Sequence, residues 1–234
     1  MAVLKDVNLT IPSRDAIGLI GPSGSGKTTL ARCIAGIERP DSGEILLDDR
    51  NLLSMPKPEF RARRRSIQLI FQDAAMAFSP RMTLEEIVAE PLRISGSSPK
   101  ERREKSLDCL EQVGLSSQSA ERRASELSGG QRQRLAIARA LAASPELLIL
   151  DEAVSGLDLI TQTHVIELLL RLRQAASISY LFISHDLRLA GRIASEIAVM
   201  NRGCIVEYGR TPDLLANPAH PCTQALVNAV PGQL

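Results

Sequence analysis

The sequence predicts an α/β fold with a mainly parallel sheet and a helical lobe inserted into it. Three observations lead there. The short apolar run Ala16-Ile17-Gly18-Leu19-Ile20 passes through a glycine-rich turn into a helix-like stretch, Thr28 to Ile34. Two more apolar runs, Leu147–Leu150 and Ser179–Ile183, are continuous rather than alternating, as strands covered on both faces are. From Thr83 to Leu141, strand-like runs give way to helix signals.

Taken in order, Val3 to Ile11 alternates loosely and reads as a strand. Gly43 to Leu47 reads as another, after the turn-forming Pro40-Asp41-Ser42-Gly43. Arg61, Arg63, Arg64 and Arg65 form a basic cluster, read as a solvated helix face, with partner or phosphate contact as the alternative. Ser66 to Phe71 reads as a strand running into Gln72. Thr83 with Glu86 three residues on is a capping-box pattern, and Pro91 should end or kink that helix. Pro99 to Val113 reads as a helix with Leu107, Leu110 and Val113 on one side and Gly114 as its C-terminal cap. After the Leu147–Leu150 strand, Thr161 to Ala175 carries Val165, Leu168, Leu169 and Leu172 on one helix face. Ile197–Met200 and Cys204–Tyr208 flank Asn201-Arg202-Gly203 as a hairpin. From Thr211 onward, Pro212, Pro218, Pro221 and Pro231 divide the tail into short helical pieces. These readings give one domain over 1–234: core segments 1–72 and 142–210, the helical insertion 73–141, and a tail 211–234.

Composition narrows the class. Of 234 residues, 44% are hydrophobic but only 3% aromatic, so the core must be aliphatic. Lys plus Arg is 28 against 27 for Asp plus Glu, a balance that gives no argument for a nucleic-acid partner. Cys33, Cys109, Cys204 and Cys222 are far apart without a C-x-x-C, and read as buried small hydrophobes in a reducing compartment. No signal-peptide layout and no apolar run of about 18 residues is present, so a soluble, cytoplasmic chain is expected.

The turn after the first strand is Gly21-Pro22-Ser23-Gly24-Ser25-Gly26-Lys27-Thr28-Thr29, which matches G-x-x-x-x-G-K-[ST]. Glycines let successive backbone N–H groups form a concave nest for phosphate oxygens. Lys27 adds a positive charge for the β- and γ-phosphates, and the Thr28 hydroxyl is a ligand for Mg²⁺. Asp151 and Glu152 follow the Leu147–Leu150 run, at the strand end where α/β sheets bind ligands. Asp151 is placed to hold the Mg²⁺ shell and Glu152 to orient or polarise an attacking water. Ser128, in Leu127-Ser128-Gly129-Gly130-Gln131, caps the following helix, whose free N–H groups and dipole favour an anion.

Leu127–Gln131 is similar to the signature motif of ATP-binding cassette (ABC) ATPases, and Gly21–Thr28 and Leu147–Asp151 resemble their Walker A and Walker B elements. Gln72 in Phe71-Gln72-Asp73 resembles the Q-loop, Ser155-Gly156-Leu157-Asp158 the D-loop, and His185 the switch histidine. The resemblance covers nearly the whole chain. It implies a P-loop cassette with an N-terminal antiparallel β part and an inserted helical signature subdomain. It also implies two cassettes meeting head to tail, each ATP lying between one Walker A turn and the partner's signature turn. Gln72 would touch the Mg²⁺ shell and sense the γ-phosphate, which His185 would contact. Ser128, Gly129, Gly130 and Gln131 would serve the nucleotide bound to the opposite cassette, and Asp158 would border it.

Phe78-Ser79-Pro80-Arg81-Met82-Thr83-Leu84 and the tail Asn217–Leu226 resemble the peptide/nickel importer branch, and Asp151-Glu152-Ala153-Val154-Ser155 tilts the reading toward nickel or another metal chelate. The implied role is an ATP-hydrolysing subunit on the cytoplasmic face of the membrane, held there by two permease subunits and served indirectly by a solute-binding protein. Residues 73–90 would form the permease dock. A non-transport cassette, acting in DNA repair, on ribosomes or in cofactor assembly, is the alternative. Only Cys204 and Cys222 lie in the tail, so no iron–sulfur cluster is expected. The resemblance also implies an aromatic adenine platform upstream of Walker A. Residues 1–27 hold no Phe, Tyr or Trp, so the reading expects a shortened N-terminus and weak discrimination between ATP and GTP.

Overall fold

The computed structural model describes residues 3–72, 74 and 78–229. Asp73 and residues 75–77 of the expected dock, and Pro231 of the tail, lie outside the described residues. A six-stranded sheet orders its strands β4-β5-β6-β1-β7-β8. The strands are β1 (Ala16–Ile20), β4 (Ile67–Ile70), β5 (Leu147–Asp151), β6 (Ser179–Ser184), β7 (Glu196–Asn201) and β8 (Cys204–Arg210). Pairing is parallel throughout except for β7 with β8. A separate antiparallel pair joins β2 (Leu46–Leu47) to β3 (Arg50–Asn51).

The continuous apolar runs have the origin expected of them. Successive side chains of a strand point to opposite faces. Tyr180 and Phe182 enter one buried cluster, together with Leu148 and Leu150. Leu181 and Ile183 enter the other, with Ile149 and Leu19. Helix α1 (Lys27–Ile34) packs Ala31 into the second cluster. Helices α6 (Gly129–Ala142), α7 (Leu159–Ala176) and α8 (Leu187–Ile193) fill the first. Gly18 lets α8 lie close on β1, since a Cβ there would sit 3.3 Å from Ala190 and Ala194 Cβ.

Between β4 and β5 the chain is helical. The Thr83 capping box forms and opens α3 (Leu84–Val88), which stops at Ala89, and Pro91 sits in the first turn of α4 (Glu90–Ser95). Helix α5 (Pro99–Gln112) starts with a second capping box, Ser98 with Glu101, and ends before Gly114 at φ 72°. The hairpin turns at Arg202 and Gly203, both left-handed. The tail forms α9 (Thr211–Ala216) and α10 (Pro221–Asn228). Glu207 on β8 fastens it by accepting the Ala219 and His220 amides at 2.9 Å each.

Four expectations are corrected. Val3–Ile11 is not a strand: Asp6 takes φ 46°, which breaks the extended run, and Lys5 N bonds the hairpin turn at Gly203 O instead of a ladder. The strand expected over Gly43–Leu47 shrinks to Leu46–Leu47: Gly43 takes a left-handed φ of 96°, and Ile45 N donates to the Asn51 side chain at 3.4 Å instead of to a ladder. The arginine cluster is not simply a solvated face. Arg63 at the end of α2 (Lys57–Arg63) pairs with both Asp48 and Glu146, tying the small sheet to the root of β5. Cys33 and Cys109 are buried as expected, but Cys204 and Cys222 are only half-buried.

Candidate functional site

Three strands deliver the site to one edge of the sheet. Ile20 pairs with Ser184, and Asp151 with Ile183, so β1, β5 and β6 end level. This edge, with β1 inserted between β6 and β7, is where an open α/β sheet leaves a crevice for ligand.

The loop leaving β1 rests on the hairpin. A Cβ at Gly21 would lie 2.0 Å from Met200 O on β7, so only glycine allows that approach. Gly203 N donates to Ser25 O at 2.9 Å, and Gly26, at φ 108°, turns the backbone into α1. Pro22, Ser23 and Gly24 face solvent, Thr28 is exposed and Thr29 half-buried. Lys27 folds back into the loop, only 6% exposed. Its Nζ donates to Gly21 O (2.9 Å) and Pro22 O (3.0 Å) and lies 3.5 Å from Ser25 Oγ. Burial lowers its pKa, a shift opposed by the nearby Glu152 and Asp151 carboxylates.

Asp151 ends β5 almost fully buried, and its Oδ1 has no hydrogen-bond partner among the described residues. Burial raises its carboxyl above the usual range, against the neighbouring Thr28 hydroxyl and the charge of Lys27, with Glu152 pushing it further up. An orphaned buried carboxylate oxygen costs free energy unless something pairs with it. A hard cation fits, since Mg²⁺ takes one or two protein oxygens and completes its shell with water and phosphate. Among the described residues no cluster of three or more His, Cys, Asp or Glu could hold a metal by itself. The Thr28 hydroxyl beside Asp151 is therefore the donor set on offer.

Glu152 takes a left-handed φ of 50°, a conformation costing a non-glycine residue about 1 kcal/mol. Its amide bonds Ile183 O on β6 at 3.0 Å, and its carbonyl accepts from Ser155 N (3.0 Å) and Oγ (2.7 Å). The turn swings the carboxylate across to β6, where Oε2 lies 3.1 Å from His185 Nδ1. Gln72, two residues beyond the end of β4, is exposed.

The signature turn stands apart. Ser128 and Gln131 close a capping box at the start of α6. No hydrogen bond among the described residues links 128–131 to 21–29. The turn instead packs on the start of α7. A Thr161 methyl lies against Gly130, and Leu157 approaches Gly129. Asp158 caps α7, accepting from Thr161 N (3.0 Å) and Oγ1 (2.6 Å). The structure thus brings Lys27, Thr28, Asp151, Glu152 and His185 together, and sets Ser128–Gln131 beside Asp158 on a second surface. Sequence reasoning missed the support that Met200 and Gly203 give the phosphate loop, for which no local signal exists. It also missed Arg188, which grips Asp186 next to His185.

Fold and site together define a phosphate-loop, ATP-binding α/β cassette. The chain belongs to the ABC transporter family, whose pattern it matches over residues 4–155. It is 43% identical over 97% of its length to "Probable peptide ABC transporter ATP-binding protein y4tS" of Sinorhizobium fredii, spanning 65% of that protein. It is 43% identical to the nickel import ATP-binding protein NikE of Brucella suis, over 97% of this chain and 86% of the relative. The methionine import ATP-binding protein MetN of Thermobifida fusca is 44% identical, over 97% and 70%. Among solved structures, the dimeric post-hydrolysis state of the cassette MJ0796 bound to ADP and Pi is 31% identical with a TM-score of 0.78, covering 89% of this chain and 90% of that one. CbiO1 of Clostridium perfringens, part of the complex cbiONQ, is 26% identical with a TM-score of 0.84, over 92% and 84%.

Proposed function

We propose that the chain is the ATP-hydrolysing subunit of an ABC importer for nickel or other metal chelates or for peptides. The observation that carries this reading is the set Lys27, Thr28, Asp151, Glu152 and His185 at one sheet edge, where a triphosphate, a cation and a water-orienting carboxylate are all provided for. Residues 21–29 cradle the triphosphate, and Lys27 exchanges its loop carbonyls for phosphate oxygens. Thr28 and Asp151 would hold Mg²⁺, with Gln72 as a further candidate ligand. When bound, the ion neutralises charge that develops on the phosphates. Glu152 accepts a hydrogen bond from the attacking water, and His185 holds Glu152 and donates toward the γ-phosphate. Phosphoryl transfer needs such positioning more than covalent chemistry.

Ser128, Gly129, Gly130 and Gln131 serve the nucleotide of a second cassette, identical or paralogous, with Asp158 alongside. Their separation from residues 21–29 in one chain supports this, as does the dimeric state of the related cassette MJ0796. Residues 73–141 form the lobe that carries the turn, inserted between core segments 1–72 and 142–210, with 211–234 as tail.

The dock for the permease subunits is formed by residues 73–90, of which Phe78 opens onto a groove of about 820 Å³ between core and lobe. Phe71, Phe78, Leu92 and Ile94 give it apolar walls, and Arg61 and Arg64 stand at its rim. Docking there places the chain on the cytoplasmic face of the membrane. Among the described residues no helix is long and apolar enough to cross a membrane. The names of the peptide and nickel relatives support the solute class. The test is copurification with co-expressed permease subunits of the peptide and nickel importer classes, followed by ATPase assay with nickel chelates, peptides and methionine in turn. Permease binding with stimulation by a chelate or peptide supports the reading. Stimulation by methionine alone, or no permease captured in any nucleotide state, overturns it.

A further inference from the structure

We infer that Arg188 is a positioning residue for the Glu152–His185 pair, acting through Asp186. The inference rests on the roles proposed above for Glu152 and His185.

His185 sits on the turn between β6 and α8. Its side chain is 59% exposed, and its one hydrogen-bond partner among the described residues is Glu152. Packing therefore does little to hold the ring, and its direction is set by the backbone on either side. Upstream, the strand fixes that backbone: Ile183 O accepts the Glu152 amide and Ser184 is buried. Downstream, the fixing falls to Asp186. Its amide donates to Ser184 Oγ at 2.9 Å, closing the turn around His185. Its carboxylate caps α8 by accepting Arg188 N at 2.9 Å.

A cap alone would leave the second carboxylate oxygen free to swing. Here the Arg188 guanidinium takes both oxygens, Nε on Oδ1 at 3.2 Å and Nη2 on Oδ2 at 2.9 Å. Bidentate pairs of this kind add geometric specificity to attraction. Burial pushes the Asp186 carboxyl up, but the Arg188 hydrogen bonds win and hold it below its usual value. Arg188 itself is exposed, and exposed ion pairs contribute little to global stability. The effect of losing it is therefore to be sought in turnover rather than melting.

The experiment compares Arg188→Ala, Arg188→Lys, His185→Ala and the His185→Ala/Arg188→Ala double variant in the ATPase-competent complex. Arg188→Ala should lower kcat about fivefold to tenfold, with KM for MgATP within about twofold of wild type and an unchanged melting midpoint. Arg188→Lys, able to make one contact but not two, should be intermediate. In the His185→Ala background the Arg188→Ala change should have no further effect, because Arg188 acts through that ring. Wild-type kcat in Arg188→Ala alongside a strongly impaired but measurable His185→Ala overturns the inference and leaves the site reading intact. An equal Arg188→Ala loss in both backgrounds overturns it too. Full activity in His185→Ala overturns the site reading itself.

Discussion

The imidazole Nδ1 of His185 lies 3.1 Å from the Glu152 Oε2, although 33 residues separate the two in the chain. Neighbouring strands make the contact, since the Glu152 amide is bonded to Ile183 O at the end of the strand from which His185 emerges. A carboxylate in this position can accept a proton or orient water, and the histidine restricts where it points.

Glu152→Gln keeps the shape of the pair and removes its charge. Phosphate release in the assembled importer should fall by about 10²- to 10⁴-fold, the range for losing a positioned acid or base. ATP should still bind, and ATP-held dimers should accumulate. Steady-state phosphate release with sedimentation in ATP checks this, and unchanged turnover would refute the assigned role.

Asp151→Asn should stabilise the nucleotide-free chain while abolishing MgATP turnover. Burial raises the Asp151 carboxyl above its usual value of 3.8, against the neighbouring Thr28 hydroxyl and the charge of Lys27. An acid whose pKa is higher folded than unfolded binds more protons when folded. Its stabilising contribution is complete below the unfolded value and is lost as pH rises through the folded one. At neutral pH the ionised carboxylate is therefore a cost. Calorimetry should show a higher midpoint for the variant at neutral pH. The gap should narrow toward pH 4, and a lower midpoint at pH 7 would contradict the assignment.

Tyr180→Phe tests the buried core behind the site. The phenol is fully buried and donates to Leu169 O on α7 at 2.9 Å. Losing it should cost about 1 kcal/mol, the usual net value of such a bond, and lower the midpoint by about 2–4 °C. KM for MgATP should not move. A midpoint equal to wild type would show that the bond contributes nothing.

Reversing the charge of the groove rim, with Arg61→Glu and Arg64→Glu together, should reduce permease recovered on copurification by about tenfold or more. Undiminished recovery would place the dock elsewhere.

Features governed by neighbours in sequence were legible before the structure. The Thr83–Glu86 capping box depends on residues three apart, Ser128 marks the start of the helix it caps, and the run Leu147–Leu150 records burial on both faces. Val3–Ile11 carries a strand-like pattern that one left-handed residue, Asp6, cancels, and nothing in the pattern marks it. Arg63 reads as one of four surface charges, because its partners Asp48 and Glu146 lie 15 and 83 residues away. The candidate site residues are read one by one from their motifs. That Gly21 leans on Met200, or that Gly130 meets Thr161, follows only from how strands and helices pack.

The central claim is that the Gly21–Thr28 turn of one chain and the Ser128–Gln131 turn of another close on the same triphosphate. Ser128→Arg in the assembled importer tests it most directly, because the added side chain would fill the interface while leaving residues 21–29 untouched. The account predicts that ATP still binds at near wild-type affinity while hydrolysis falls at least about 100-fold. ATP hydrolysis at the wild-type rate in that variant would contradict it.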